Sequence, residues 1–181
     1  KWGWGSTIGV SRPGSAFAGS TNVVLALENN MTTSHESGLV GHVVAVEFDK
    51  DLAGKLIGQF PGKNLTVHAT DVLSFDLSSL PPGYKVVANV PYYITSKIVQ
   101  LLSEANNPPS LAVLLVQKEV AERLAAEPGE MSMLSVSAQV FHVVSLGILV
   151  PAEFFTPAPK VDSQVVVLRR RENPLVSKDK Q

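Results

Sequence analysis

From Gly41 onward, the apolar positions of this chain switch between a two-residue and a helical period. Val43–Glu47 is a short β-branched run ending in an acid and predicts a strand. Leu52, Ala53, Leu56 and Ile57 then recur at helical spacing, which predicts a helix over Asp49–Gln59 with Asp49 as its N-cap. Asn64–His68 reads as a strand and Ala69–Leu80 as a loop. Tyr84–Ala88 is an apolar run, giving a buried strand over Lys85–Asn89, and Ile94–Ala105 follows as an amphipathic helix. Leu111–Val116 is a fully apolar strand, and Gln117–Glu127 a helix closed by Pro128 and Gly129. The long Val-rich stretch Leu134–Val150 reads as a helix followed by a strand. Pro151–Ser163 is a Pro-punctuated loop before a final strand, Gln164–Arg170.

Strands alternating with helices predict an α/β fold: a mainly parallel, doubly wound sheet with helices on both faces. The first 40 residues differ in character: 19 of them are Gly, Ser, Thr or Asn, and four are charged (Lys1, Arg12, Glu28, Glu36). The one clear apolar run there, Val23–Leu27, is expected to be a strand.

With 181 residues, 45% of them apolar, the chain suffices for one domain with a full core. No apolar run reaches the roughly 18 residues that span a bilayer, and no basic segment followed by an apolar one opens the chain. Cysteine is absent, which excludes disulfides and thiolate metal sites and fits the cytoplasm. The four His and the scattered acids have no ligand spacing, so no metal is expected. Net charge is −1; the dense basic group is Arg169–Arg171, with Lys178 and Lys180 beyond it, a strand end in water or a local patch for RNA.

Ligands of such sheets bind at the carboxyl ends of the strands, where three candidates fall. Glu47 ends its strand; an acid there can accept from the ribose hydroxyls of a nucleotide-like cofactor, or merely face water. Asp71, after the next strand, can accept from an adenine amine or cap an Asx turn. Asn89-Val90-Pro91-Tyr92-Tyr93 is more specific: an amide oxygen, the Val90 carbonyl, a rigid Pro and a flat ring make a clamp for a planar amine. The alternative is an ordinary strand-to-helix turn. The segment from Phe154 to Ser163 is stiffened by Pro157 and Pro159; its aromatic can sandwich a flipped base against Tyr92, and Lys160 can meet a phosphate. The alternative is a rigid crossover loop with Phe in the core.

Five segments carry a resemblance: Ala45–Ala53, Asp71–Asp76, Asn89–Ser96, Gln117–Leu124 and Phe155–Ser163. In order and spacing they resemble the ribosomal RNA adenine N6-dimethyltransferases, the kasugamycin-sensitivity and erythromycin-resistance methylases, and they lie closer to the small-subunit branch. The resemblance runs from about Gly41 to Arg170. It implies a Rossmann-like class I methyltransferase fold with an antiparallel strand near the C-terminal end. It implies S-adenosylmethionine as cofactor, adenine N6 in small-subunit ribosomal RNA as acceptor, and a monomer. By this resemblance Glu47, Phe48, Asp71, Val72 and Asn89 bind the cofactor, with Glu47 on the ribose and Asp71 on the adenine amine. Asn89, Val90, Pro91 and Tyr92 form the catalytic turn, and Tyr92, Tyr93, Phe155 and Lys160 hold the substrate.

Two departures bear on this expectation. The family's first strand leads into an acid and a turn of the form E-x-G-x-G-x-G, whose glycines let backbone approach the cofactor. Here Ala26 stands for the acid, and Glu28, Asn30 and Thr32 stand for glycines. The family's Gly-Gln-x-Phe-Leu element is likewise replaced by Trp2–Ile8. The sequence stops at Gln181, after the last strand, so a single catalytic domain without the family's small helical domain is expected over 1–181. The alternatives are a relative with impaired cofactor binding that serves as an RNA-binding or ribosome-assembly protein, and a methyltransferase of DNA adenine or a small molecule.

Overall fold

A computed structural model of the chain describes residues 22–27, 42–59, 65–155 and 157–175. Seven strands form one sheet: β1 (Asn22–Leu27), β2 (His42–Glu47), β3 (Leu65–Ala69), β4 (Lys85–Asn89), β5 (Leu111–Gln117), β6 (His142–Val150) and β7 (Ser163–Arg170). Their spatial order is β3-β2-β1-β4-β5-β7-β6. The described helices are α1 (Lys50–Gln59), α2 (Thr95–Glu104), α3 (Lys118–Leu124) and α4 (Met133–Phe141).

β2 pairs parallel to β3, and β4 parallel to β5. β7 runs antiparallel to both β5 and β6, as expected for the end of the chain. β1 runs antiparallel to both of its neighbours, β2 and β4. Five of the seven strands therefore share one direction, and β1 and β7 oppose them. The reversal of β1 is the departure from a parallel first strand. The connection gives a physical reason: a parallel β1-to-β2 crossover needs a helix or similar cover, and Glu28–Gly41 carries no helical apolar period. An antiparallel ladder satisfies the same backbone groups without one.

One face of the central strands is fully buried. Val86, Ala112, Leu114, Val116, Val166 and Leu168 are fully buried, and Ile98, Val99 and Leu102 of α2 pack with them in one core cluster. Each such aliphatic side chain contributes roughly 1.5–3 kcal/mol by leaving water. β6, at the sheet edge, is largely exposed from Ser145 to Leu149.

The elements match the sequence expectation closely, with two differences. The Asp49 carboxylate does cap α1, its Oδ1 accepting from Asp51 N at 2.8 Å and Leu52 N at 3.1 Å. The helix predicted to Glu127 ends at Leu124, and the chain then turns through Gly129 at φ +104°, a conformation that a Cβ resists. The predicted loop Ala69–Leu80 holds two short 3₁₀ turns, Val72–Ser74 and Leu77–Ser79, capped by Asp71 and Asp76. Asp and Asn favour such turns because the carboxylate satisfies an N–H two residues on.

Candidate active site

β2, β3, β4 and β5 end at one edge of the sheet, and the reversed β7 begins there, Ser163 lying opposite Gln117. Every sequence-predicted site residue sits at or beside this edge.

Glu47 is the last residue of β2 and is 1% exposed. It does not face water. Its Oε1 accepts from Asp49 N at 2.8 Å, while its Oε2 is buried and has no partner among the described residues. Burial pushes its pKa up, and the Asp49 N–H works against that shift. A buried carboxylate oxygen without a donor is costly unless a ligand supplies one. Phe48 beside it is 67% exposed, a flat apolar face at the same strand end.

Asp71 Oδ1 accepts from Leu73 N at 2.9 Å, so the Asx turn is real. One oxygen suffices for that bond, and the other remains as an acceptor. Val72 is buried in the core cluster, so only its backbone can face a ligand.

Asn89 ends β4; its side chain is exposed and makes no hydrogen bond among the described residues. Val90 N donates to Leu115 O at 3.0 Å, extending the ladder to β5 by one residue. The next turn closes on Pro91: its carbonyl accepts from Ile94 N at 3.1 Å and Thr95 Oγ1 at 3.3 Å. Val90 itself is buried, at 1% exposure. Tyr92 is half-buried, and its hydroxyl lies 3.0 Å from Ser163 Oγ. Tyr93 is 83% exposed.

The loop between β6 and β7 is closed through Asp162. Asp162 Oδ1 accepts from Ala152 N at 3.0 Å, and Asp162 O accepts from Lys118 N at 3.0 Å. Within it, Phe155 is half-buried, and Phe154 and Lys160 are exposed. Thr156 lies outside the described residues, as do the sequence-predicted elements at Trp2–Ile8, Glu28, Asn30, Thr32, Lys178 and Lys180.

The arrangement offers acceptors for hydroxyls at Glu47, acceptors for amines at Asp71 and Asn89, and ring faces at Phe48, Tyr92 and Phe155. The reversal of β1 changes what flanks them. Asn22 opposes Asn89 at the site edge, whereas Leu27 pairs with His42 at the far edge. Sequence reasoning treated Ser163 and Asp162 only as parts of a longer segment. Their contacts to Tyr92, Lys118 and Ala152 join residues up to 71 positions apart, which no local pattern announces. Among the described residues, no group of three or more His, Asp or Glu is placed to hold a metal ion. No described helix is long and apolar enough to cross a membrane.

A sheet of this order, with acids and an Asn-Pro-Tyr turn at its carboxyl edge, defines a Rossmann-like methyltransferase fold. Solved structures that share it include two named transferases. The 23S rRNA methyltransferase ErmE superposes with a TM-score of 0.67 at 31% identity, over 75% of this chain and 55% of that one. A dimethyladenosine transferase from Plasmodium falciparum gives a TM-score of 0.65 at 27% identity, over 76% and 50%. Residues 30–181 match the family described as ribosomal RNA adenine dimethylase, and the chain belongs to that family. Its curated relatives include the ribosomal RNA small subunit methyltransferase A of Lactococcus lactis subsp. lactis strain IL1403. That protein is 41% identical over 144 residues, 74% of this chain and 49% of the relative. The protein of the same name from Nostoc punctiforme is 43% identical over 150 residues, 74% and 52%. The chain thus spans about half the length of the curated relatives it matches. The family is a class of methyltransferases that generally uses S-adenosylmethionine.

Proposed function

We propose that this chain is the catalytic domain of an S-adenosylmethionine-dependent enzyme that dimethylates adenine N6 in small-subunit ribosomal RNA, working as a cytoplasmic monomer. The observation that carries the reading is the buried, partnerless Oε2 of Glu47 on the same sheet edge as the open amide of Asn89. The first suits a ribose hydroxyl and the second an exocyclic amine. When bound, S-adenosylmethionine supplies a methyl group already activated on a sulfonium sulfur.

The chain's own residues have the remaining tasks. Glu47 holds the cofactor's ribose, Asp71 its amine, Phe48 covers its ring, and Asn89 and the Val72 backbone border it. Asn89 Oδ1 and the Val90 carbonyl accept the two N6 hydrogens, which turns the nitrogen lone pair outward from the ring plane toward the donor. Pro91 fixes the spacing of those two acceptors. Tyr92 and Phe155 stack on the flipped base, Tyr93 offers a face to its neighbour, and Lys160 meets a phosphate. Positioning and orientation are the main source of rate in such a transfer. The N6 proton leaves after transfer, so no strong base is required.

Calorimetry with S-adenosylmethionine followed by radiolabelled methyl transfer to small ribosomal subunits tests this. Asn89→Ala is expected to abolish transfer while cofactor binding stays nearly intact; equal loss of both would show that Asn89 is misassigned. The alternative, which the family match does not favour, is a relative with weakened cofactor binding that acts on RNA as a binding protein. Absence of binding at millimolar cofactor, with RNA affinity retained, selects it.

A further inference from the structure

We infer that Ser163 is a positioning residue for Tyr92, setting the orientation of the ring that the proposed clamp stacks on its base; this rests on the reading above. Tyr92 stands on the short 3₁₀ turn Tyr92–Ile94, next to the exposed Tyr93. Its own turn holds only its backbone. The tip of its side chain is held from 71 residues away, at 3.0 Å, by the hydroxyl of Ser163. Ser163 is 2% exposed and is itself among the best-fixed points at this edge. It is the first residue of β7 and pairs with Gln117 on one side and Val150 on the other. The preceding residue, Asp162, is tied through its carbonyl to Lys118 N and through its carboxylate to Ala152 N, both at 3.0 Å.

A bond at the phenol tip fixes the ring's direction and leaves both faces unspent. That is the geometry a stacking platform needs, because stacking is lost when the plane tilts. The neighbouring Asp162 closes the loop that carries Phe155, so the start of β7 references Tyr92 through Ser163 and that loop through Asp162.

The test uses the full chain and four variants: Ser163→Ala, Ser163→Thr, Tyr92→Phe, and Ser163→Ala with Tyr92→Phe. Methyl transfer to unmodified small ribosomal subunits is measured over a range of subunit concentrations. Loss of one neutral hydrogen bond predicts that Ser163→Ala lowers kcat about fivefold, with KM nearly unchanged. Tyr92→Phe should match it, the double variant should be no slower than either, and Ser163→Thr should restore the wild-type rate. Multiplying effects in the double variant, or a Thr variant as slow as the Ala one, overturn the assignment. If the wild-type chain transfers no methyl at all, the proposed function fails, and the positioning claim is still decided by the ring. With three tyrosines in the chain, ¹³Cζ-labelled tyrosine gives three resonances. Ser163→Ala should shift the one that Tyr92→Phe removes, and an unmoved resonance overturns the inference.

Discussion

Glu47 is held by one N–H where its position accommodates more. Its buried Oε2 destabilises the ligand-free fold, because desolvation acts on the charged form and Asp49 N offsets only part of it. Glu47→Gln keeps an acceptor for Asp49 N and removes the charge. It is expected to raise the melting temperature while weakening S-adenosylmethionine at least tenfold, the worth of one hydrogen bond to a charged group. Unchanged cofactor affinity by calorimetry would sink the ribose assignment. His142 gives a second prediction. It is 1% exposed, its Nδ1 lies 3.2 Å from Ala138 O, and its Nε2 has no partner among the described residues. Burial, seconded by Arg170 and Arg171, lowers its pKa from 6.5 to about 4. The unfolded chain therefore takes up this proton first as pH falls. Stability is full above about pH 6.5 and is lost progressively down to about pH 4, by roughly 3 kcal/mol. Glu47, whose pKa is raised, works in the opposite direction over the acid range, so the comparison must be with a variant. Denaturant midpoints of His142→Gln should lack the slope that the wild type shows between pH 6.5 and 4. Parallel slopes would refute it.

At the scale of elements, the loop over Pro151–Ser163 owes its shape to closure as much as to its prolines. Asp162→Ala removes the acceptor for Ala152 N and leaves the β7 ladder intact. The expected result is several-fold faster chymotryptic cleavage after Phe154 and Phe155 with little change in melting temperature, since local opening is separable from global unfolding. Cleavage at the wild-type rate would show that the prolines alone hold the loop. The sequence marked this loop and nearly every element because their signals are local. β4 emerges at the bounds its apolar run predicts, and Asp49 caps α1 where capping chemistry requires. The early end of α3 was not legible. Its last turn is decided by the Ala125 N to Ala121 O bond and the left-handed Gly129, and Glu127, a good helix former, gives no warning of either. The Asn89–Tyr92 turn stood out as a candidate because Asn-x-Pro-Tyr is a compact local arrangement. The burial of Glu47 and the Tyr92–Ser163 bond were not, since both depend on which strands become neighbours.

At the scale of the whole molecule, the direction of β1 decides what borders the cofactor side of the edge. A period-two apolar run specifies a strand and its buried face but carries no sign for its direction, which is why Val23–Leu27 was legible as a strand and its reversal was not. With β1 reversed, Leu27 lies opposite His42, at the edge away from Glu47, and Asn22 lies opposite Asn89. The chain has no cysteine, so a designed pair reports this direction without interference. Asn22→Cys with Asn89→Cys joins directly opposed residues, within the roughly 4.5–5.5 Å between Cα atoms that an antiparallel pair provides and a disulfide accepts. Ala26→Cys with Asn89→Cys is the counterpart for a parallel strand. In the antiparallel register Ala26 opposes Lys85, so it lies about 13 Å from Asn89 along the strand. Oxidation is expected to close the first pair and leave both thiols of the second titratable. The reverse outcome would restore a parallel first strand and bring the end of β1 back to the edge where Glu47 and Asn89 stand.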